Sequence, residues 1–253
     1  MCKIKYILFT IVFCLVYSTV YADDNDRIIL SQFLSSQSMT ERQNAFNVII
    51  ANDKKYRDTV LDQLQKFIKK PNKTPDALIY LAAFLKDKRY IRPLATLMSN
   101  ADYSERHCIY SCPIIFSLVI FDSFTDYSLP QLNDNLPAVH DLRREVERVK
   151  HISIEPEAAS KYIVGPGVDE SLKRMETLPL ADVIKLAGAK TKDANQRIIA
   201  ATVLQAHVTN DKYLKELYWL AIIDVPNDAS AEYRDAVHWA IYRAETYRKK
   251  KNT

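Results

Sequence analysis

TPDALIYLAAFLKDKRYIRPLATLMSN, residues 74–100, is the stretch that decides the fold class. Two apolar runs in it have the i, i+3, i+4, i+7 spacing of one helix face, separated by a short charged break. Each such helix needs a neighbour to bury its apolar side, so the stretch predicts two amphipathic helices joined by a tight turn. The two runs are Leu78, Leu81, Ala82 and Leu85, and then Ile91, Leu94, Ala95 and Met98.

Glycine is unusually scarce. The 253 residues contain three glycines, Gly165, Gly167 and Gly188, so none precedes position 165. β-Hairpins depend on glycine for positive φ angles, whereas helices joined by Asn, Asp and Pro turns do not. With 48% hydrophobic and 26% charged residues the chain has a globular composition. The sequence therefore predicts an all-α fold of stacked helical hairpins.

The first 22 residues have the pattern of a secretory signal peptide. Lys3 and Lys5 precede an apolar run over residues 6–17, and the small residues Val20 and Ala22 occupy the −3 and −1 positions. The run is shorter than the ~20 residues that span a bilayer. We expect cleavage, export to the periplasm or the medium, and no stable membrane anchor afterwards. An uncleaved anchor is the alternative.

Charge argues against a nucleic-acid partner. Without Lys3 and Lys5, Lys and Arg fall from 35 to 33 against 31 Asp and Glu, so the net charge falls from +4 to +2. A nucleic-acid-binding domain generally carries a larger basic excess. The basic tail, residues 248–251, is a local exception that favours a solvated end or contact with an anionic surface.

One helical domain is predicted over residues 23–253, with an irregular segment at about 125–178. Residues 125–136 are rich in turn formers, and a charged helix is expected over about 137–152. The segment at 153–168 contains Gly165-Pro166-Gly167, which lacks the Lys and Ser/Thr of a phosphate-binding loop. It is the best linker candidate in the chain.

Three turns between predicted helices have similar sequences. An Asn or Asp caps the incoming helix in each, and a Tyr follows after lysine or arginine. The tyrosines of the first two turns, Tyr56 and Tyr90, are 34 positions apart, a plausible period for stacked helix pairs. The turns read Asn52-Asp53-Lys54-Lys55-Tyr56, Asp87-Lys88-Arg89-Tyr90 and Asn210-Asp211-Lys212-Tyr213.

Two segments resemble HEAT repeats, within the armadillo-type α-solenoids. Arg197-x-x-Ala200-Ala201-x-x-Leu204-x-Ala206 is similar to a first repeat helix, and Leu85-Lys86-Asp87 with Ile91-Arg92-Pro93-Leu94 to the inter-helix turn. The resemblance covers residues 40–98 and 179–248, and residues 125–178 depart from it. It implies a superhelix that offers an extended curved surface to partners. A compact helical bundle is the alternative.

Signal cleavage leaves two cysteines, Cys108 and Cys112. In an exported chain with an even count, a disulfide is the expected state. A metal site that includes His107 is an alternative with a more specific role. Structural zinc sites have four protein ligands, however, and no second pair of ligands is evident in the sequence. A redox-active pair is the third option.

No catalytic motif, metal or cofactor site is found. His207 and His238 lie beside apolar stripes and are expected to be packing residues. We predict an exported protein- or peptide-binding module without catalysis of its own, and a partner face at the starts of the second repeat helices. An enzyme or enzyme accessory with its site near 125–178, or a structural cell-envelope component, are the alternatives. The partner-face residues are Arg57, Tyr90, Arg92, Tyr213 and Lys215.

Overall fold

A computed structural model describes residues 24–99, 112–125, 168–189, 193–223 and 231–252. These residues form helices, turns and loops, with no strand among them. The all-α prediction is confirmed. The predicted helix at about 137–152 and the linker candidate around Gly165 lie outside the described residues.

Eleven α-helices occur in the described part of the chain. Two 3-10 turns, Pro71–Lys73 and Lys88–Tyr90, precede α4 and α5. The helices are α1 (residues 24–35), α2 (Met39–Ala51), α3 (Asp53–Ile68), α4 (Asp76–Leu85), α5 (Ile91–Met98), α6 (Pro113–Phe124), α7 (Val168–Glu176), α8 (Leu180–Ala187), α9 (Ala194–His207), α10 (Leu214–Ile222) and α11 (Ala231–Asn252).

The chain divides into two compact units, Met1–Gln65 and Lys66–Thr253. In the first, the rings of Phe33 and Phe46 stack at 5.8 Å between α1 and α2. Arg42 Nε donates to the Phe33 carbonyl at 3.0 Å, which satisfies an acceptor in the last turn of α1. The prediction of a single repeat domain over residues 23–253 stays a prediction.

The second unit is organised around α6 and α11. Every residue of α6 from Pro113 to Phe121 is buried, as its uniformly apolar sequence predicts. Both α4 and α5 pack against α6, and α11 packs against α6, α9 and α10. α4 also packs against α10, which lies more than 100 residues later in the chain. The unit is therefore held together by contacts between distant segments.

Helix α9 is more deeply buried than a single amphipathic face, such as the helical spacing of Ile198, Thr202, Val203 and Ala206 predicts, would make it. Ile198 and Ala206 are only half-buried, whereas residues all around the helix are buried. The reason is that α7, α8 and α11 pack on it from several sides. Its buried residues are Arg197, Ile199, Ala200, Ala201, Thr202, Val203, Leu204 and Gln205.

Helix boundaries follow local capping. Asp193 is the N-cap of α9 and Gly188 is the C-cap of α8, and both residue types are common at these positions. Thr40-Glu41-Arg42-Gln43 has the capping-box spacing and predicts an N-cap at Thr40, but this prediction is wrong, because the N-cap of α2 is Ser38, whose hydroxyl accepts from the Glu41 amide at 3.3 Å. Glu41, three residues after Ser38, also fits the capping-box spacing.

This cap position makes a stability prediction. Ser38→Ala removes an acceptor for an otherwise unpaired amide and should lower the free energy of unfolding by about 1 kcal/mol. The matched control is Thr40→Ala, since Thr40 is exposed and lies one residue inside the helix. Urea denaturation monitored by circular dichroism measures both. A larger loss for Thr40→Ala than for Ser38→Ala would contradict the assignment of Ser38 as the N-cap.

Candidate functional site

The predicted partner-face residues have different environments. Arg92 and Lys215 are exposed at the second positions of α5 and α10, and Tyr213 is half-buried beneath the Lys212 ammonium, 5.1 Å from its ring centre. Arg57 belongs to the first unit, where it pairs with Asp53 at 2.8 Å. Tyr90 is 0% exposed. The inclusion of Tyr90 in a partner face was therefore wrong, because its ring is needed to fill the core.

Cys112 is a buried free thiol at the N-cap of α6. Its Sγ lies 3.9 Å from the Met98 sulfur, and burial raises the pKa of the thiol to about 11. The predicted disulfide is thus not seen at Cys112, while Cys108 and His107 lie outside the described residues. A redox-active cysteine generally has a lowered pKa and some exposure, whereas Cys112 is buried with a raised pKa, which argues against the redox alternative.

Metal and catalytic histidine sites find no support in the described segments. His207 is exposed and its Nε2 lies 3.6 Å from the Glu176 carboxylate, so the packing role predicted for it was wrong. No group of three or more His, Cys, Asp or Glu side chains in these segments has a metal-binding arrangement. His140 and His151 lie outside them.

Three polar contacts link α4 and its C-cap to α11. Asp76 and Arg234 lie 3.5 Å apart, Tyr80 Oη and His238 Nε2 lie 2.8 Å apart, and Lys86 and Glu245 form an ion pair of 2.5 Å. We call this set the polar line. Both residue numbers rise along it, so α4 and α11 run in the same direction.

The centre of the polar line is a neutral histidine. His238 is 5% exposed, and burial lowers its pKa to about 3. Its ring stacks on Phe116 with centres 4.2 Å apart and an interplanar angle of 12°. The imidazole is therefore uncharged at physiological pH and is fixed by Tyr80 and Phe116. This confirms the predicted packing role of His238.

The carboxylate of Glu245 is 2% exposed and has two donors, the Lys86 ammonium and the Tyr218 hydroxyl at 3.2 Å. Burial lowers the pKa of Lys86, an effect that the Glu245 charge opposes. Burial and the same carboxylate raise the pKa of Tyr218 well above its usual value. The group is consequently a paired charge with a neutral phenol, an arrangement that holds α4, α10 and α11 together.

A small pocket lies between α6 and α11. It is lined by Ile115, Phe116, Val119, Asp235, His238, Trp239 and Tyr242. Its cavity volume of about 20 Å³ accommodates roughly one water-sized group. The pocket therefore has the size of a contact point for one functional group.

Asp235 is the charged side chain of this pocket. Burial raises its pKa to about 6, while a hydrogen bond with Trp239 opposes the shift and the charge of Glu232 adds to it. The folded protein holds this proton more tightly than the unfolded chain does. Stability from this group is therefore complete below about pH 4 and is lost as the pH rises through 6.

Comparison with protein-family models, curated proteins and solved structures finds no match to this chain. In the part of the chain that the structure describes, no helix combines the length and apolarity required to cross a bilayer. The predicted alternative of an enzyme site near 125–178 rests mainly on residues 126–167, which lie outside the described segments. Within the described segments, the candidate site is thus the surface and the small pocket of the second unit.

The Lys86–Glu245 pair predicts unequal mutational costs. Lys86→Met leaves the carboxylate of Glu245 buried without its cation and should cost about 3 kcal/mol of unfolding free energy. Glu245→Met should cost less, because the Lys86 side chain is 16% exposed and can turn towards water. The double variant should lose less unfolding free energy than the two single variants lose in sum, as expected when two paired buried charges are removed together.

Chemical denaturation of the four proteins in this double-mutant cycle measures the coupling. The control is Lys185→Met, which breaks an exposed pair with Asp182 and should cost under about 1 kcal/mol. Additive losses at Lys86 and Glu245, or a loss at Lys185 as large as that at Lys86, contradict the assignment.

Proposed function

We propose that this chain is an exported helical binding module that recognises a protein or peptide, in the periplasm or the medium, and has no catalysis of its own. Its partner face lies at the starts of α5 and α10 and includes Arg92, Tyr213 and Lys215. Tyr90 is removed from the face that the sequence predicted, and Arg57 is left out because it belongs to the other compact unit.

The observation that carries the proposal is a turn that occurs twice with the same hydrogen bond. Asp87 Oδ1 accepts from the Arg89 amide at 3.0 Å, and Asn210 Oδ1 accepts from the Lys212 amide at 3.0 Å. This is the geometry by which Asp and Asn side chains order a turn. A third turn differs, since Asp53 accepts from the adjacent Lys54 amide.

Each of the two matching turns is followed by the same arrangement of side chains. The first residue of the next helix, Ile91 or Leu214, is buried, and the second, Arg92 or Lys215, is an exposed cation. We propose that these two equivalent helix starts present similar groups to one partner, as equivalent positions do in helical-repeat proteins. The two cations favour a partner with acidic side chains.

Site-specific photo-crosslinking tests the partner face. A photoreactive amino acid at position 92 or 215 of the exported protein should give adducts with the same envelope or secreted protein, identified by mass spectrometry. The control position is 173, an exposed lysine on α7. The double variant Arg92→Glu/Lys215→Glu should weaken binding of that purified protein at least tenfold, because two attractive charge contacts become repulsive. Equal amounts of adduct at position 173, or an unchanged affinity of the double variant for the crosslinked protein, would contradict the proposal.

We also propose that Cys108 and Cys112 form a disulfide in the mature exported protein, because export places both in an oxidising compartment. The bridge closes a very small loop and stabilises by roughly 2 kcal/mol in the chain-entropy model. Alkylation under denaturing conditions without reductant should then label no thiol, and labelling after reduction should modify two. Two labelled thiols before reduction would show that the cysteines remain free, as Cys112 is in the structure.

A further inference from the structure

The pocket between α6 and α11 combines one carboxylate with aromatic rings. Phe116, Trp239 and Tyr242 supply the rings, and those of Trp239 and Tyr242 meet edge to face at 5.7 Å. Asp235 supplies the carboxylate and is half-buried, so the pocket is reached from solvent at its side. Aromatic faces and a carboxylate both attract cations.

The neighbouring cationic side chains of Arg234 and Lys249 have partners outside the pocket lining. The Arg234 guanidinium lies against Asp76 at 3.5 Å, and Lys249 Nζ donates to the Ser123 carbonyl at 3.0 Å, near the end of α6. His238 lines the pocket but is neutral, and the lining residues contributed by α6 are apolar. The charge of Glu232 is also negative and raises the pKa of Asp235. In the described part of the chain, Asp235 and Glu232 therefore place negative charge on this side of the pocket.

Size restricts the cation that fits. A cavity of about 20 Å³ takes a group as large as a water molecule, which is the size of a primary ammonium. A trimethylammonium group needs several times that volume. The pocket therefore differs from an aromatic cage for quaternary ammonium, although it uses the same attraction between a cation and a ring face.

We propose that this pocket binds the ε-ammonium of a lysine side chain on the partner protein. The inference rests on the proposed binding function and adds a second contact to it. The ammonium forms a charge-assisted hydrogen bond with the Asp235 carboxylate, and its methylene stem lies along Trp239 and Tyr242. The charge-assisted hydrogen bond with the Asp235 carboxylate offsets the desolvation of the lysine.

Nuclear magnetic resonance of the Trp239 indole tests the proposal on the full mature chain. The chain has two tryptophans, and a Trp219→Phe background leaves the Trp239 indole signal alone. The probe is N-acetyl-lysine-N-methylamide. It should shift the signal saturably, whereas the norleucine analogue, which lacks the ammonium, should not. The trimethyl-lysine analogue should bind at least tenfold more weakly because it does not fit.

Asp235→Asn should reduce the lysine affinity at least tenfold, and the matched control Glu232→Gln, one turn earlier on the exposed side, less than threefold. Affinity should also rise as the pH is raised from 5 to 7, in step with ionisation of Asp235. Circular dichroism establishes that each variant is folded. Equal binding of lysine and norleucine, an indole signal that never shifts, or unchanged affinity in Asp235→Asn overturns the proposal and leaves a pocket that holds water only.

The failure of this inference is distinguishable from failure of the proposed function. If the Trp239 indole signal does not shift but positions 92 and 215 still crosslink one partner, the proposed binding function is supported and the lysine pocket is contradicted. If the lysine probe binds and no partner is crosslinked at those positions, the lysine pocket is supported and the partner face is contradicted.

Discussion

The second unit depends on the pairing of polar groups on α11 with those on α4. Arg234, His238 and Glu245 lie in a helix whose apolar residues fill the core, and Glu245 is 2% exposed. An unpaired charge or imidazole that is buried in the core costs several kcal/mol of stability. The packed position of α11 is therefore stable only where α4 supplies partners for these groups. Sliding α11 by one turn would separate all three contacts at once. The polar line therefore fixes the register of two helices that apolar packing alone would leave less well defined.

The end of α4 is shaped by the same requirement. Lys86 is its C-cap, with φ at 51°, and is the one non-glycine residue with positive φ in the described segments. A left-handed conformation costs a lysine roughly 1 kcal/mol, which glycine would avoid. Glycine has no side chain to reach Glu245, however, and the ion pair offsets the backbone strain. The scarcity of glycine in this chain is thus consistent with side chains at helix ends that take part in tertiary contacts.

Local features were predictable from the sequence and distant pairings were not. The helices at 76–98, the caps Asp193 and Gly188 and the buried α6 follow from periodicity and capping, which act over a few residues. Tyr90 was misassigned because a Tyr beside lysine and arginine looks like a surface residue, although its ring is fully buried. The pairing of Lys86 with Glu245 joins positions 159 apart, and no local pattern reports it. No local pattern distinguishes Arg234, His238 and Glu245 from the exposed polar residues of α11 either.

Helix α11 presents two sets of side chains that differ by about 100° around its axis. Positions 234, 238 and 245 face α4, and positions 235, 239 and 242 line the pocket beside α6. Consecutive residues on a helix are about 100° apart, so Asp235 and Trp239, which follow Arg234 and His238 by one position, point about 100° away from them. Tyr242 lies three positions before Glu245 and falls on the same side as Asp235 and Trp239. His238 belongs to both sets, because its Nε2 meets Tyr80 while its ring stacks on Phe116 in the pocket wall. The pocket geometry thus rests on the same histidine that holds the register of α11. A pocket built in this way is rigid, since its wall cannot move without breaking a buried hydrogen bond, and rigidity is what recognition of a group as small as an ammonium requires.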